Sequence, residues 1–361
     1  MRLLYLYSEE WTGWRAREVH TLSTCVALAR SGVDVTLVTA GGETELQEHL
    51  LNIAGQPEVP GLHLVVLSRT LGPIRSTAIF ARNFHHWLHG KRPFDLAYII
   101  HLKAGPILTQ AGIPYAYEAH EIFASTPENA VRQRKLHVLE GEVLNAAALH
   151  IATSVPLAAA LCAWYSLDND IAIVPNAGQP PLDQIVSSSD GPFIYCGSIA
   201  DWKGLDIAIE AAHEAKAPLK IVGGTDEEWR LLSLRLETSH IDWHPRVPLR
   251  DVPQALTGAR AGLIPTNPDI GTGEFSCPMK LFDYARCGLP VLTTMLPSLQ
   301  SLDVGPWCTQ VASPTRIAWT EALKSFQYEA ANAEAARTWA GEHTWERRAQ
   351  LLQQALEITP S

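Results

Sequence analysis

The chain has 361 residues, of which 47% are apolar and 18% charged. That gives ample core for about two domains of roughly 150 residues and is unlike a disordered or collagenous composition. The net charge of −10 argues against a dedicated nucleic-acid binder.

Taken in chain order, the sequence opens with a short apolar run, Leu3–Tyr7, followed by Ser8-Glu9-Glu10. The run is too short for a signal peptide, and a cytoplasmic protein is expected. The cysteines (25, 162, 196, 277, 287 and 308) are scattered without a C-x-x-C pair. They are not spaced as zinc ligands or a small disulfide framework, which fits a reducing compartment.

Short apolar runs bounded by turn residues alternate with amphipathic segments, the pattern of a parallel sheet wrapped by helices. In the first half, strands are predicted at 2–7, 34–39, 62–67, 96–101, 114–118 and 149–153. Helices are predicted at 16–31, 76–90, 103–111, 127–146 and 156–165. Residues Val143–Leu167 carry no charge and are long enough to span a bilayer. Asn145, His150, Thr153, Ser154 and Pro156 interrupt them, and the stretch reads as a helix end, a strand and a second helix opening at Pro156.

In the second half, strands are predicted at 171–174, 192–196, 218–222, 241–243, 260–264 and 289–293. Helices are predicted at 203–215, 226–237, 251–257, 278–287 and 314–326, and residues 331–357 form a helical tail. The aperiodic, Pro/Ser/Gly-rich segment 179–191 reads as a linker. The expected architecture is α/β: two doubly wound, Rossmann-like domains facing each other across a cleft. Residues 1–165 form the first domain and 166–335 the second. A C-terminal helix, 336–361, packs back toward the first domain. In such sheets ligands sit beyond the carboxyl ends of the strands.

Two segments suggest a phosphate site. Phe193-Ile194-Tyr195-Cys196-Gly197-Ser198 runs from a strand into a loop that reaches a helix near Lys203. A helix N-terminus offers free N–H groups and a positive dipole end, and Lys203 adds a full charge. The same residues also suit an exposed lysine on an ordinary loop. Gly271-Thr272-Gly273-Glu274-Phe275-Ser276-Cys277-Pro278-Met279-Lys280-Leu281-Phe282-Asp283-Tyr284 again leads from a glycine loop into a helix. Asp283 sits where it can accept from ribose hydroxyls, or where it is simply a solvated carboxylate.

The K-G-x-D segment at Lys203 and the P-x-K-L-F-D-Y-A-x-C-G-x-P-V segment from Pro278 resemble the C-terminal domain of glycosyltransferase family 4, the retaining GT-B enzymes. Ile173-Val174-Pro175-Asn176-Ala177-Gly178, Tyr117-Glu118-Ala119-His120-Glu121 and Arg17-Glu18-Val19-His20-Thr21-Leu22 resemble further family segments in the same order. The resemblance implies transfer of a sugar from a nucleotide-diphosphate sugar to an acceptor hydroxyl, with retention and without a metal or other cofactor. It implies Lys203 at the diphosphate, Asp283 at the ribose, and the backbone of Ser276, Cys277, Pro278 and Met279 at the phosphates, with Gly197 and Lys280 beside them. His120 would orient donor or acceptor, and Glu118 and Glu121 are candidate bases.

The sequence departs from the family pattern in places. Phe275 stands where a glutamate is common, with Glu274 one place earlier, and Ser198 stands where many members carry arginine. Arg246 and Arg286 are candidate replacements for that charge. In the first loop Gly13 can admit a phosphate, and Arg15 or Arg17 can add charge. A hydrolase or epimerase on the same scaffold, or a non-catalytic nucleotide binder, are the alternatives.

Other patterns are less specific. Asp168-Asn169-Asp170 matches D-x-D but also an ordinary turn. His85, His86 and His89 are spaced like a metal patch or a solvated helix face. Residues 69–92 lack acids and interleave Arg69, Arg75, Arg82, Lys91 and Arg92 with Phe80, Phe84, Trp87 and Leu88. They read as a core-facing helix with a basic outer face or as a peripheral contact with anionic lipid. The acceptor is a sugar, a lipid or a small metabolite.

Overall fold

The computed structural model describes residues 1–125, 129–167, 170–271 and 273–357. The chain divides into two compact units. The first comprises Met1–Pro175 with the C-terminal helix, and the second comprises Asn176–Thr344.

The first unit runs β1 (Arg2–Tyr7), α1 (Ala16–Arg30), β2 (Asp34–Thr39), α2 (Glu43–Ala54), β3 (Leu62–Val66), the small hairpin β4 (Thr70–Leu71) and β5 (Ile74–Arg75), α3 (Thr77–Leu88), β6 (Leu96–Ile99), α4 (Gly105–Ala111), β7 (Tyr115–Ala119), α5 (Ala130–Ala146), β8 (Leu149–Ala152), α6 (Val155–Tyr165) and β9 (Ile171–Ile173). Seven strands form one parallel sheet in the order β3-β2-β1-β6-β7-β8-β9. Leu3, Leu4, Tyr5 and Leu6 are fully buried, as a parallel strand covered on both faces requires. By sequence, 171–174 falls in the second half. Its pairing with β8, Ile151 beside Ala172, makes it the last strand of the first sheet instead.

Helix α1 starts where Glu18 pulls in the preceding loop: its carboxylate accepts the N–H groups of Thr12, Trp14 and Arg15 at 2.9–3.1 Å. Helix α2 is absent from the sequence reading. It buries Leu46, Leu50 and Ile53, and Gly42 opens it in the left-handed region. In α3, Phe80 and Phe84 are fully buried, each contributing roughly 1.5–3 kcal/mol. Trp87 stacks on Phe94, while Arg82, His86 and His89 are exposed. The helix therefore turns its apolar side to its own core.

The second unit runs β10 (Phe193–Cys196), α7 (Leu205–Ala215), β11 (Leu219–Val222), α8 (Asp226–Ser233), β12 (Ile241–His244), α9 (Val252–Leu256), β13 (Ala261–Ile264), α10 (Met279–Arg286), β14 (Val291–Thr294), β15 (Cys308–Val311), α11 (Arg316–Ser325) and α12 (Ala330–Glu342). Six strands form a parallel sheet in the order β12-β11-β10-β13-β14-β15. The predicted helical tail is broken at His343, whose ring stacks on Trp339 at 3.9 Å. Beyond the break, α13 (Trp345–Glu357) belongs to the first unit and packs on α1. Among the described residues no helix is long and apolar enough to cross a membrane.

Candidate active site

In the second sheet the strand order reverses between β10 and β13, where a doubly wound sheet opens a crevice beyond its strand ends. Gly197 directly follows β10 at that point. A Cβ on Gly262 of β13 would fall 2.4 Å from the Tyr284 ring, so glycine there lets α10 lie against the sheet. The Tyr284 hydroxyl accepts the Cys196 N–H at 2.8 Å. Lys280 and Asp283, on the same helix, are thereby carried to the end of β10. The loop after β10 is equally tight. A Cβ on Gly204 (φ +63°) would fall 1.9 Å from the Pro265 carbonyl oxygen, and the Asn267 N–H donates to the Trp202 carbonyl at 2.9 Å.

The two lysines here are placed differently. Lys280 Nζ is buried 3.7 Å from the Tyr195 ring centre, against Gly197, where a Cβ would approach it to 3.1 Å. Among the described residues it has no hydrogen-bond partner. Burial, and then the charge of Lys203, push its ammonium well below the usual lysine range. Lys203 donates to Ser198 Oγ at 2.6 Å, and burial lowers it to about 8. Burial raises the Asp283 carboxyl to about 6, against the pull of Arg286.

The glycine loop is braced through its carbonyls. Ser298 Oγ donates to the Ser276 carbonyl, and Asn176 Nδ2 donates to that of Cys277 at 2.6 Å. The Met279 and Lys280 N–H groups, in the first turn of α10, have no intrahelical acceptor and form its positive end. Phe275, Cys277 and Pro278 are buried, whereas Glu274 is exposed. Phe275 thus packs into the unit and presents no polar group in the slot where a carboxylate was sought. Arg286 is drawn to the Pro180 carbonyl at 3.2 Å, and Arg246 is exposed.

The first unit holds a different charge centre. Glu118, at the end of β7, is fully buried. It accepts from Arg348 of α13 and from the Tyr98 hydroxyl at 2.5 Å. His20 Nε2 and His120 Nε2 lie 3.3 and 3.1 Å from the oxygen that Arg348 holds. Burial alone would raise this carboxyl, but Arg348, then His20 and His120, outweigh it and hold it well below the usual range. Arg348 also donates to the Pro175 carbonyl at 3.0 Å and to Thr24 at 3.1 Å. Burial lowers His20 to about 3. His120 keeps one edge exposed. Glu121 is half-buried and raised by burial, with Arg17 opposing.

Among the described residues, the acid and imidazole groups that converge within 4.8 Å are His20, Glu118 and His120, not His85, His86 and His89. The Arg348 guanidinium sits on the same Glu118 oxygen, so the trio fits an ion-pair network better than a cation. In the D-x-D segment, Asp168 and Asn169 lie outside the described residues.

The first sheet reverses between β1 and β6. Glu9 follows β1 there and is ringed by His101 (3.2 Å), Arg17 (3.3 Å), Arg15 (3.7 Å) and Lys103 (3.8 Å). The His101 hydrogen bond leads in holding Glu9 down to about 2. Gly13 adopts φ +79°. The N–H groups flanking it, of Thr12 and Trp14, are already taken by Glu18. Sequence reasoning missed Arg348, Tyr98 and His20, and no local pattern marks Arg348 as the partner of a strand 230 residues away.

Residues 9–177 match the family described as glycosyl transferase 4-like domain, and residues 191–322 match glycosyl transferases group 1. No curated protein matches. Among solved structures, the chain resembles sucrose-phosphate synthase from Thermosynechococcus elongatus at 17% identity and TM-score 0.77, covering 99% of this chain and 98% of that one. It also resembles WaaG, a glycosyltransferase involved in lipopolysaccharide biosynthesis, at 16% identity and TM-score 0.67 over 100% of both chains. A Staphylococcus aureus MnaA–UDP complex matches at 11% identity and TM-score 0.59, over 100% and 99% of the two chains. The two Rossmann-like units thus match GT-B glycosyltransferases, and the chain belongs to the family 4, group 1 glycosyltransferases and is a transferase enzyme.

Proposed function

We propose that this glycosyltransferase takes a nucleotide-diphosphate sugar in its second unit and passes the sugar to an acceptor hydroxyl with retention of configuration. The observation that carries the reading is Lys203, in the loop that follows β10 at the strand-order reversal of the second sheet, together with the positive end of α10. Breaking the anomeric C–O bond leaves negative charge on the diphosphate. Cations already in place stabilise that charge as it develops, without reorganisation. Asp283 is the ribose ligand: a half-buried carboxylate near neutrality can accept two hydroxyls.

On the acceptor side His120, the partly exposed member of its network, is the group proposed to touch substrate. Glu118 has no exposed surface and serves to hold the imidazole rather than to take a proton from the acceptor. Glu121, half-buried and raised by burial, stays a candidate base. Arg15 and Gly13 stay candidates for the donor phosphates, with Arg15 acting through its side chain. A peripheral membrane contact through 69–92 draws support from the exposed Leu71 and Ile74 of the hairpin and the basic outer face of α3.

The test is turnover of UDP-, GDP-, ADP- and TDP-sugars, with and without an acceptor panel of sugars, inositols and lipids, and NMR of the product anomer. Acceptor-dependent transfer with retained configuration is expected. Release of free sugar or an epimer at full rate without acceptor overturns it in favour of a hydrolase or epimerase.

A further inference from the structure

We infer that Lys280 is the second phosphate cation of the donor site, reaching past Gly197 to one phosphate while Lys203 takes the other. The inference rests on the donor reading above and adds a residue and a role to it.

The argument starts from what the side chain lacks. A buried ammonium is tolerated when a carboxylate or several acceptors replace its water shell. Lys280 Nζ has neither among the described residues, only the face of Tyr195 at 3.7 Å. A ring face compensates part of an ammonium's hydration, and it leaves the three N–H bonds without acceptors. The Tyr195 hydroxyl is turned away, donating to the Ser198 carbonyl at 2.8 Å, so the ring is a platform and not a partner.

The position of the group is as informative. Nζ and Cε of Lys280 would lie 3.1 and 3.3 Å from a Cβ at residue 197. Glycine there keeps the approach to the ammonium free of side chain. Lys203 is close enough to push Lys280 toward neutrality. Two like charges held together in a half-buried crevice repel one another, and a dianionic diphosphate relieves that repulsion. Ser198, the side chain bonded to Lys203, brings no charge of its own. One lysine for each phosphate matches the charge of a nucleotide-sugar diphosphate.

A structural role and a binding role predict opposite signs for the same substitution. Methionine is close in length to lysine and carries no charge. If Lys280 only fills space, Lys280→Met leaves ligand affinity alone. If it is held unpaired for a phosphate, Lys280→Met raises the melting temperature of the free protein and weakens the diphosphate.

The experiment is calorimetric titration of the full chain with UDP, GDP, ADP and TDP and the matching monophosphates, on the wild type, Lys280→Met and Lys280→Gln. The wild type is expected to prefer one diphosphate. Both variants are expected to lose about tenfold to a hundredfold of that affinity, the range for a charged hydrogen bond, and to keep monophosphate affinity within about threefold. Equal diphosphate affinity in wild type and variants overturns the inference, as does equal loss of mono- and diphosphate. A wild type that binds no nucleotide overturns the donor reading itself, a result distinguishable from failure of Lys280 alone.

Discussion

The two units carry buried charge in opposite ways. Glu118 in the first is surrounded: Arg348 and Tyr98 donate to it, and two imidazoles lie within 3.3 Å. Lys280 in the second is bare: one aromatic face and no acceptor among the described residues. A satisfied buried charge fixes architecture, because its partners come from elements far apart in the chain and each needs the others. An unsatisfied one is costly until something outside the chain completes it. The same contrast holds at the two places where strand order reverses. In the first sheet Glu9 follows the reversal and gathers His101, Arg15, Arg17 and Lys103, whereas in the second Lys280 Nζ has no hydrogen-bond partner among the described residues.

The largest effect should come from breaking the satisfied centre. Arg348→Met strands Glu118 in an apolar interior and is expected to cost about 3–5 kcal/mol, read as a lower denaturation midpoint. Adding Glu118→Gln should recover most of that loss, because no uncompensated charge remains. Independent, additive losses would mean that the two residues are not a pair.

Next comes the unsatisfied centre. Lys203→Ala should lower kcat/KM about a hundredfold, the scale for losing one preorganised donor to developing charge, while the melting temperature holds or rises. Full activity would break the phosphate assignment.

Gly262→Ala sharpens the contrast in a different way. It places a methyl 2.4 Å from the Tyr284 ring and should cost about 1–3 kcal/mol by overpacking. It should also weaken nucleotide binding by shifting α10, although residue 262 touches no ligand. Unchanged stability and affinity would mean that the packing of α10 does not position Lys280 and Asp283.

The smallest effects are in pH, at opposite ends of the scale. Lys203 titrates near 8 in the free protein. A bound anion favours its charged form, so the complex holds more protons. Through Lys203, affinity falls as pH rises past about 8, by up to tenfold per pH unit. His20, lowered to about 3 by burial, stays neutral when folded, while the unfolded chain takes its proton below about 6.5. Its contribution to stability is present above that pH and lost as pH falls toward 3. His20→Gln should flatten the acid limb of a melting-temperature profile and leave the alkaline limb of nucleotide affinity as it was.

Much of this was legible in the residues. The continuous apolar runs announced parallel strands buried on both faces, and the residues around Gly197 and Lys203 announced a strand, a loop and a helix in that order. The errors have physical causes. β15 was missed because Thr309 and Gln310 are exposed at the sheet edge, which hides a strand of four residues. Residues 171–174 were put in the wrong half because periodicity tells that a strand exists and not which neighbour it pairs with. Glu118 looked like a base because its motif is local, whereas the guanidinium that occupies it comes from the last helix. Lys280 was named from the resemblance as a substrate-binding residue. Its state as an unpartnered cation appears only once Tyr195, Gly197 and α10 are packed together.

The most direct test of the central claim, that Lys203 and Lys280 of the second unit take a diphosphate, is the proton count on binding. The wild-type protein would be titrated at pH 8 with the nucleoside diphosphate it prefers, by calorimetry in two buffers of different ionisation heat. The account predicts net proton uptake, because Lys203 and Lys280 become fully charged against the phosphates. Diphosphate binding with no proton uptake, or with release, would contradict it.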